Sequence, residues 1–325
     1  MKILVTGGSG FIGSNFINNL LEKGNQIVNL DKLTYAAKGK NLEHMGISEN
    51  SNYKFALGDI CDKYLVNSLF KEEKPDMVFN FAAESHVDRS LKNPDDFIKT
   101  NILGAVNIFE ASLKNKTKRI IHISTDEVYG SRNKGSFSED SSLTPSSPYS
   151  ASKASADLIA LSFYKSFNLP VIVTRSANNY GEYQFPEKFI PLFITNLIEE
   201  KKVPLMWSKE NPGKNTRDWI NVKDNCEAIW YAAINGKEGE IYNIPGNNER
   251  TNIDITNLLL KEFGYGDEMI EKISHRNAHD FRYSINGDKI LQLGFEYKYK
   301  NLEKELNSLI RWYQENKSWW EPLKK

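Results

Sequence analysis

Cysteine is scarce: Cys61 and Cys226 are the only two in 325 residues, and they stand far apart without a CxxC spacing. That excludes a disulfide framework and a cysteine-rich zinc site, and both are expected as buried free thiols in a reducing cytoplasm. No apolar run approaches the roughly eighteen residues that a membrane-spanning helix needs. The opening MKILVTGG runs from a strand pattern into glycines, unlike the charged-then-apolar pattern of a secretion signal. Charge of one sign is also missing, since 42 Lys and Arg balance 42 Asp and Glu. No field therefore draws the chain to nucleic acid or to an anionic membrane. His275 and His279 are one helical turn apart but have neither an HExxH pattern nor an acidic third ligand, so no metal is expected. A cytoplasmic protein binding neither nucleic acid nor membrane is the expectation.

What the chain has is rhythm. KILVT (2–6), QIVNL (26–30), YKFAL (53–57), DMVFNF (76–81), RIIHIS (119–124) and PVIVTR (170–175) read as strands. Stretches with helical apolar spacing, such as FIGSNFINNLLEKG and TNILGAVNIFEASLKN, lie between most of them. Continuous apolar strands alternating with helices predict a doubly wound parallel sheet, an α/β fold covered on both faces. After about residue 176 the rhythm breaks, with PEKFIPLFITNLIEEKK read as one helix and SKENPGKNTRDW as a loop. NVKDNCEAIWYAAING and GEIYNI then predict a further unit rejoining the sheet. The division expected is a Rossmann domain over 1–176 plus 217–246, and a smaller α/β substrate domain over 177–216 plus 247–325.

The loop VTGGSGFIG places Gly7, Gly10 and Gly13 between the first strand and the first helix. Glycine there permits a tight turn, close approach to a pyrophosphate and tight helix–strand packing, with the helix N-terminus facing the phosphates. Asp31 closes the second strand about twenty residues on, where a carboxylate accepts from a ribose hydroxyl and repels a 2′-phosphate. NAD is therefore favoured over NADP. Asp59 and Ile60, and Ala82 with Ala83, fall at further strand ends facing the same crevice.

Two sequence features carry acid–base chemistry. STDEVYG sets Asp126 and Glu127 at the end of an apolar strand, where unpaired carboxylates cost several kcal/mol if buried. In SSPYSASKASAD, Ser147 reads as an N-cap and Pro148 as the first helical residue, which places Tyr149 and Lys153 at i, i+4 on one face. The helix dipole and the ammonium would both favour a phenolate. Lowering a tyrosine from about 10 to about 7 requires about 4 kcal/mol. Tyr-x-x-x-Lys alone is common by chance; beside a dinucleotide loop and the carboxylate doublet it reads as catalytic.

Together TGGSGFIG, FAAESHVDRS, STDEVYG, YSASKASAD, NNYGEYQFPEKFIP, RDW and YNIPGNNERTN resemble the extended short-chain dehydrogenase/reductase family, within it the sugar-nucleotide 4,6-dehydratases. The likeness runs nearly end to end. It implies a tightly held NAD regenerated each turnover and a nucleoside-diphosphate sugar as substrate, with dTDP-glucose foremost. It implies that Tyr149 takes the 4-hydroxyl proton, Glu127 the C5 proton, that Asp126 protonates the departing C6 hydroxyl, and that Thr125 and Lys153 assist. The cofactor residues carried over are Gly7, Gly10, Phe11, Ile12, Gly13, Asp31, Lys32, Leu33, Thr34, Asp59, Ile60, Phe81, Ala82, Ala83, Ser85, Thr100, Tyr149, Lys153 and Asn179. Those for the sugar nucleotide are Ser85, Thr125, Asn178, Lys188, Phe189, Pro204, Met206, Arg217, Asn248, His279 and Tyr283. A homodimer joined through two helices per subunit, 94–115 and 148–167, is also implied.

The chain departs from the family's pattern on the nucleotide side. Met206 stands where the family has a tyrosine near the base, 208–216 is an insertion, and HRNAHDFRY lacks the Pro-Gly common before the histidine. UDP-glucose and UDP-N-acetylglucosamine stay open as substrates. A 4-epimerase shares the loop, Tyr149 and Lys153 but needs no acid–base pair at C5 and C6. A silent NAD-binding regulator would have lost Tyr149, Lys153 or the doublet.

Overall fold

A computed structural model describes residues 1–35, 37, 40–275 and 280–324. The expected runs form β1 (Lys2–Thr6), β2 (Gln26–Asp31), β3 (Tyr53–Leu57), β4 (Met77–Asn80), β5 (Arg119–Thr125) and β6 (Val171–Ser176). Beyond them lie β7 (Asn178–Tyr180), β8 (Val203–Met206), β9 (Thr216–Asn221), β10 (Ile241–Ile244), β11 (Glu249–Thr251) and β12 (Ile270–Ile273). Seven strands pair in parallel in the order β10-β6-β5-β4-β1-β2-β3. The order reverses between β1 and β4, the switch point where ligands bind beyond strand C-termini.

Two-fold side-chain alternation buries both faces. In β1, Ile3 and Val5 join the apolar cluster containing Phe16 and Ile229, while Leu4 joins the one containing Phe70, Phe109 and Ala156. Helices Phe11–Glu22 and Val222–Asn235 thus cover one face, and Lys63–Glu73, Ala105–Lys114 and Pro148–Phe167 the other. A third cluster, including Phe193, Leu259, Leu306, Tyr313 and Trp320, supports the smaller unit. That unit holds a three-stranded sheet, β11-β9-β7, and a two-stranded one, β12-β8.

Three boundaries differ from expectation. Residues 217–221 belong to β9 in the three-stranded sheet, because their partners are β7 and β11; only 222–246 returns to the large sheet. In the other direction, Ile285, Ile290 and Phe295, expected in the smaller domain, pack into the core beneath the large sheet. The helix expected over PEKFIPLFITNLIEEKK spans Phe189–Ile198, with Lys188 at its N-cap.

A buried polar cluster sits behind β5 and β6. Asp157 Oδ2 accepts from Arg175 Nε at 2.8 Å and from Ser124 Oγ at 3.0 Å, and His122 Nε2 lies 3.6 Å from Oδ1. Removing one partner of such a pair strands the other charge, at a cost of about 3–5 kcal/mol. Arg175→Met is expected to lower unfolding stability by about that amount, read as a lower urea midpoint at unchanged slope.

Candidate active site

At the C-terminal ends of the parallel strands lies a cavity of about 350 Å³, lined from the glycine loop, the ends of β2 to β6 and the segment before Phe189. Its floor follows from the glycines. Gly7 has φ +69°, and a Cβ there would stand 2.6 Å from the Ala82 nitrogen; one on Gly13 would stand 2.4 Å from the Gly7 oxygen. The helix that starts at Phe11 has no side-chain cap and no acid in its first turn, which leaves its positive end for an anionic ligand. Asp31 lines the cavity, with its two oxygens fixed by the backbone N–H groups of Ser9 (3.0 Å) and Leu33 (2.8 Å). Loop, helix end and carboxylate together suit a dinucleotide.

The doublet reaches this cavity because the strand ends in a turn. Thr125 is extended, and Asp126–Tyr129 forms one 3₁₀ turn capped by the Thr125 hydroxyl, which accepts from the Glu127 N–H. In a regular strand the two carboxylates would face opposite ways; after the turn both line the cavity. Asp126 is 2% exposed and its Oδ2 has no hydrogen-bond partner among the described residues. Burial, then the charges of Glu127 and Asp218, hold its carboxyl well above the usual range, against the nearby Arg217 cation and a hydrogen bond from Thr125. Asp126 is therefore the carboxyl of the doublet biased toward its protonated form.

Tyr149 sits in the first turn of Pro148–Phe167, behind the Ser147–Ser150 capping box and Pro148. Its ring meets Phe97 edge-on at 6.3 Å, and its hydroxyl shares a hydrogen bond with Thr125. The expected lowering of its pKa does not appear. Burial and the Glu127 charge raise it, and the Lys153 ammonium is turned to the Ile123 carbonyl at 2.6 Å. Burial pushes Lys153 down to about 8. Thr125 Oγ1 also donates to Asp126 Oδ1 at 3.2 Å, so one hydroxyl joins the tyrosine to the acid.

The cavity brings together every cofactor residue expected from the sequence except Leu33, and from the sugar-nucleotide set Ser85, Thr125, Asn178 and Lys188. Phe189, Pro204, Met206, Arg217, Asn248 and Tyr283 do not line it. Phe189 stacks on Trp219 at 6.0 Å, and Pro204 and Met206 lie on β8 against β12. Arg217 lies 4.4 Å over the Tyr283 ring with its guanidinium on the carbonyls of Thr216 and Asp280. The Tyr283 hydroxyl donates to Asp280, and the Asn248 amide to the Gly246 carbonyl. These six sit in the adjoining unit; His279 lies outside the described residues.

Sequence reasoning missed Gln184, Phe185, Ser176 and Ala177 in the lining. Ser176 and Ala177 end β6, and the rule that parallel-strand ends carry the site would have found them. It also missed Asn101, which accepts from Glu84 N–H (2.8 Å) and donates to Ser152 Oγ (2.9 Å), tying the loop after β4 to the helix that carries Tyr149 and Lys153. A second cavity, at the opposite strand ends and lined by Arg119, Tyr164 and Glu238, has none of this acid–base chemistry.

Known proteins are similar to this chain in sequence and fold. A family model described as GDP-mannose 4,6 dehydratase matches residues 4–304. A dTDP-glucose 4,6-dehydratase of Streptomyces niveus is 43% identical over 331 residues, covering 100% of this chain and 96% of that protein. The crystal structure of DesIV, a dTDP-glucose 4,6-dehydratase from Streptomyces venezuelae solved with NAD and a TDP ligand, superposes with a TM-score of 0.94 at 41% identity, over 99% of this chain and 100% of that one. A UDP-glucose 4-epimerase from Thermus thermophilus in complex with NAD gives 0.89 at 25% identity, over 97% and 100%. The fold is thus common to dehydratase and epimerase, and side chains must separate them.

Proposed function

This chain belongs to the family described as GDP-mannose 4,6 dehydratase, and from that premise we propose that it converts dTDP-glucose to dTDP-4-keto-6-deoxyglucose as an NAD-dependent hydro-lyase. The observation that carries the reading is the buried Asp126, its carboxyl held well above the usual range, beside Glu127 in the same cavity as Tyr149. Epimerisation at C4 has no use for that pair. When bound, NAD supplies the hydride acceptor for C4 and the donor for C6, and adds positive charge to the cavity.

The chain's own groups manage protons. Tyr149 Oη takes the proton of the 4-hydroxyl, steadied by the Thr125 hydroxyl and, once its ammonium leaves the Ile123 carbonyl, by Lys153. The 4-ketone acidifies C5–H, and the Glu127 carboxylate removes that proton. Asp126 protonates the departing C6 hydroxyl, which leaves as water. Glu127 then returns its proton to C5. The balance leaves one proton on Tyr149 and one missing from Asp126. The Thr125 hydroxyl, bonded to both, gives that proton a path home.

For the substrate, Lys188 on the cavity wall and the Arg217 cation nearby support recognition of the diphosphate. The remaining sugar-nucleotide contacts, Asn178, Phe189, Pro204, Met206, Asn248, His279 and Tyr283, stand as part of this proposal. Residues 1–176 with 222–246 would serve the cofactor and most of the rest the sugar nucleotide. Exposed Ile98, Leu103 and Leu158, on the helical segment 94–114 and on Pro148–Phe167, support a homodimer through those helices. Both cysteines are free, which supports a cytoplasmic site of action. No helix among the described residues is long and apolar enough to cross a membrane.

Mass spectrometry of purified protein given dTDP-glucose, UDP-glucose and UDP-N-acetylglucosamine in parallel, without added NAD, tests the reading. Loss of one water from dTDP-glucose is expected; a C4 epimer without loss of mass would replace the dehydratase by an epimerase. Rate should also fall on the alkaline side, because Lys153 loses its charge above about 8 and Asp126 must keep its proton. A limb near pH 8 that drops about tenfold per unit is expected, and Lys153→Arg should move it upward, since guanidinium stays charged. A limb unmoved by that change would remove Lys153 as its source.

A further inference from the structure

We propose that Tyr35, Glu187 and Arg89 form a clasp behind the walls of the cofactor cavity that governs how slowly NAD leaves, and not how fast the chemistry runs. The proposal rests on the NAD-dependent reading above. Three separate segments meet in it: the loop after β2, the short helix Val87–Lys92 after β4, and the segment before Phe189. The Tyr35 hydroxyl donates to Glu187 Oε1 at 2.8 Å. The Arg89 guanidinium lies 3.5 Å over the Tyr35 ring, with Nη2 3.9 Å from Glu187 Oε2. Phe185 meets the same ring edge-on at 5.6 Å, and His86 Nε2 stands 3.7 Å from Glu187 Oε2.

None of Tyr35, His86, Arg89 or Glu187 lines the cavity, whereas their chain neighbours Thr34, Ser85 and Lys188 do. The clasp therefore ties the walls together from behind, linking the cofactor side to the sugar-nucleotide side. A hydrogen bond to a carboxylate and a cation over a ring are the stronger kinds of polar contact. With Glu187 only 23% exposed the Tyr35 hydrogen bond is less screened than a surface pair, while Arg89, 51% exposed, is the outer member of the clasp. Burial and the Glu187 carboxylate raise the Tyr35 pKa, so its donor proton stays in place throughout the working range. A cofactor regenerated in every cycle has no need to leave, and its escape in mid-cycle would strand a half-processed sugar. Slow release is thus worth building, and these residues can supply it without touching the reacting atoms.

The test measures NAD release from purified holoenzyme by trapping free NAD with an auxiliary dehydrogenase. Tyr35→Phe and Glu187→Gln should each speed release about tenfold, the double variant should add little to either, and kcat at saturating NAD should stay within about twofold. Arg89→Ala should act in the same direction. Unchanged release in both single variants, with melting temperatures preserved, overturns the clasp. So does a fall in kcat without faster release, which would put these residues in the chemistry. If the parent holds NAD but dehydrates no sugar nucleotide, the functional reading fails while the release measurement still decides the clasp.

Discussion

Tyr149→Phe is expected to abolish turnover by about three orders of magnitude, the largest loss from any single change at the site. The phenyl ring keeps the edge-on contact with Phe97 at 6.3 Å, so the helix Pro148–Phe167 should stay in place and the loss is chemical. Every later proton transfer depends on the ketone at C4, and the ketone forms only when the 4-hydroxyl gives up its proton. Without an acceptor, no reduced nicotinamide should appear after mixing with substrate. No solvent deuterium should enter C5 either, because that hydrogen is acidic only beside a ketone. Appearance of both signals at the parent rate would remove Tyr149 from the first step. The direction of its pKa sharpens the expectation. Burial and Glu127 hold the phenol protonated, so the tyrosine must lose its proton against an adverse field unless positive charge arrives. Lys153, now on the Ile123 carbonyl, and the oxidised cofactor are the two sources available.

The sheet was legible because burial on two faces leaves a plain mark: continuous apolar runs, which became β1, β2, β4, β5 and β6 with boundaries shifted by a residue or so, while β3 formed as expected at the more exposed sheet edge. The glycine spacing was legible for a related reason, since Gly7 and Gly13 stand where a Cβ would strike backbone. What escaped was set by partners distant in sequence. Residues 217–221 straddle a stretch read as a loop and the start of the next unit, and only pairing with β7 and β11 makes them a strand of the smaller sheet.

The segment 94–115, expected as one helix, contains a π-helical stretch, Ile98–Gly104. The wider turn offers Thr100 to the cavity, within 3.3 Å of Lys32 Nζ, and Asn101 to the loop after β4. Such irregularity often marks functional positions and has no signature in apolar spacing. The Tyr149 error had the same origin. An i, i+4 lysine lies on the correct helix face, but which acceptor its ammonium chooses depends on the Ile123 carbonyl of a strand 30 residues away. The doublet was legible as chemistry; the 3₁₀ turn that aims both carboxylates was only a requirement until the strand end was seen.

Asp126→Asn should divide the reaction where Tyr149→Phe stops it. The amide has nearly the shape of the neutral carboxyl but cannot release a proton to the leaving C6 hydroxyl. In the proposed division of roles, oxidation at C4 falls to Tyr149, Thr125 and Lys153 and exchange at C5 to Glu127, so both should continue. Reduced nicotinamide should therefore build up, and solvent deuterium should enter C5 of recovered substrate, while loss of water slows by about a hundredfold or more. Hydroxide is a poor leaving group, and the whole penalty falls on its departure. A substrate with fluorine in place of the C6 hydroxyl leaves as an anion without protonation, so it should recover most of the lost rate in this variant and gain little in the parent. The charge balance points the same way. Asparagine removes an acid whose charged form burial, Glu127 and Asp218 all disfavour, so little electrostatic stabilisation is lost with it and the fold should be preserved. If the fluorinated sugar were no faster than the hydroxyl one in Asp126→Asn, the carboxyl would be acting before the leaving-group step, and the division of labour between Asp126 and Glu127 would have to be reversed.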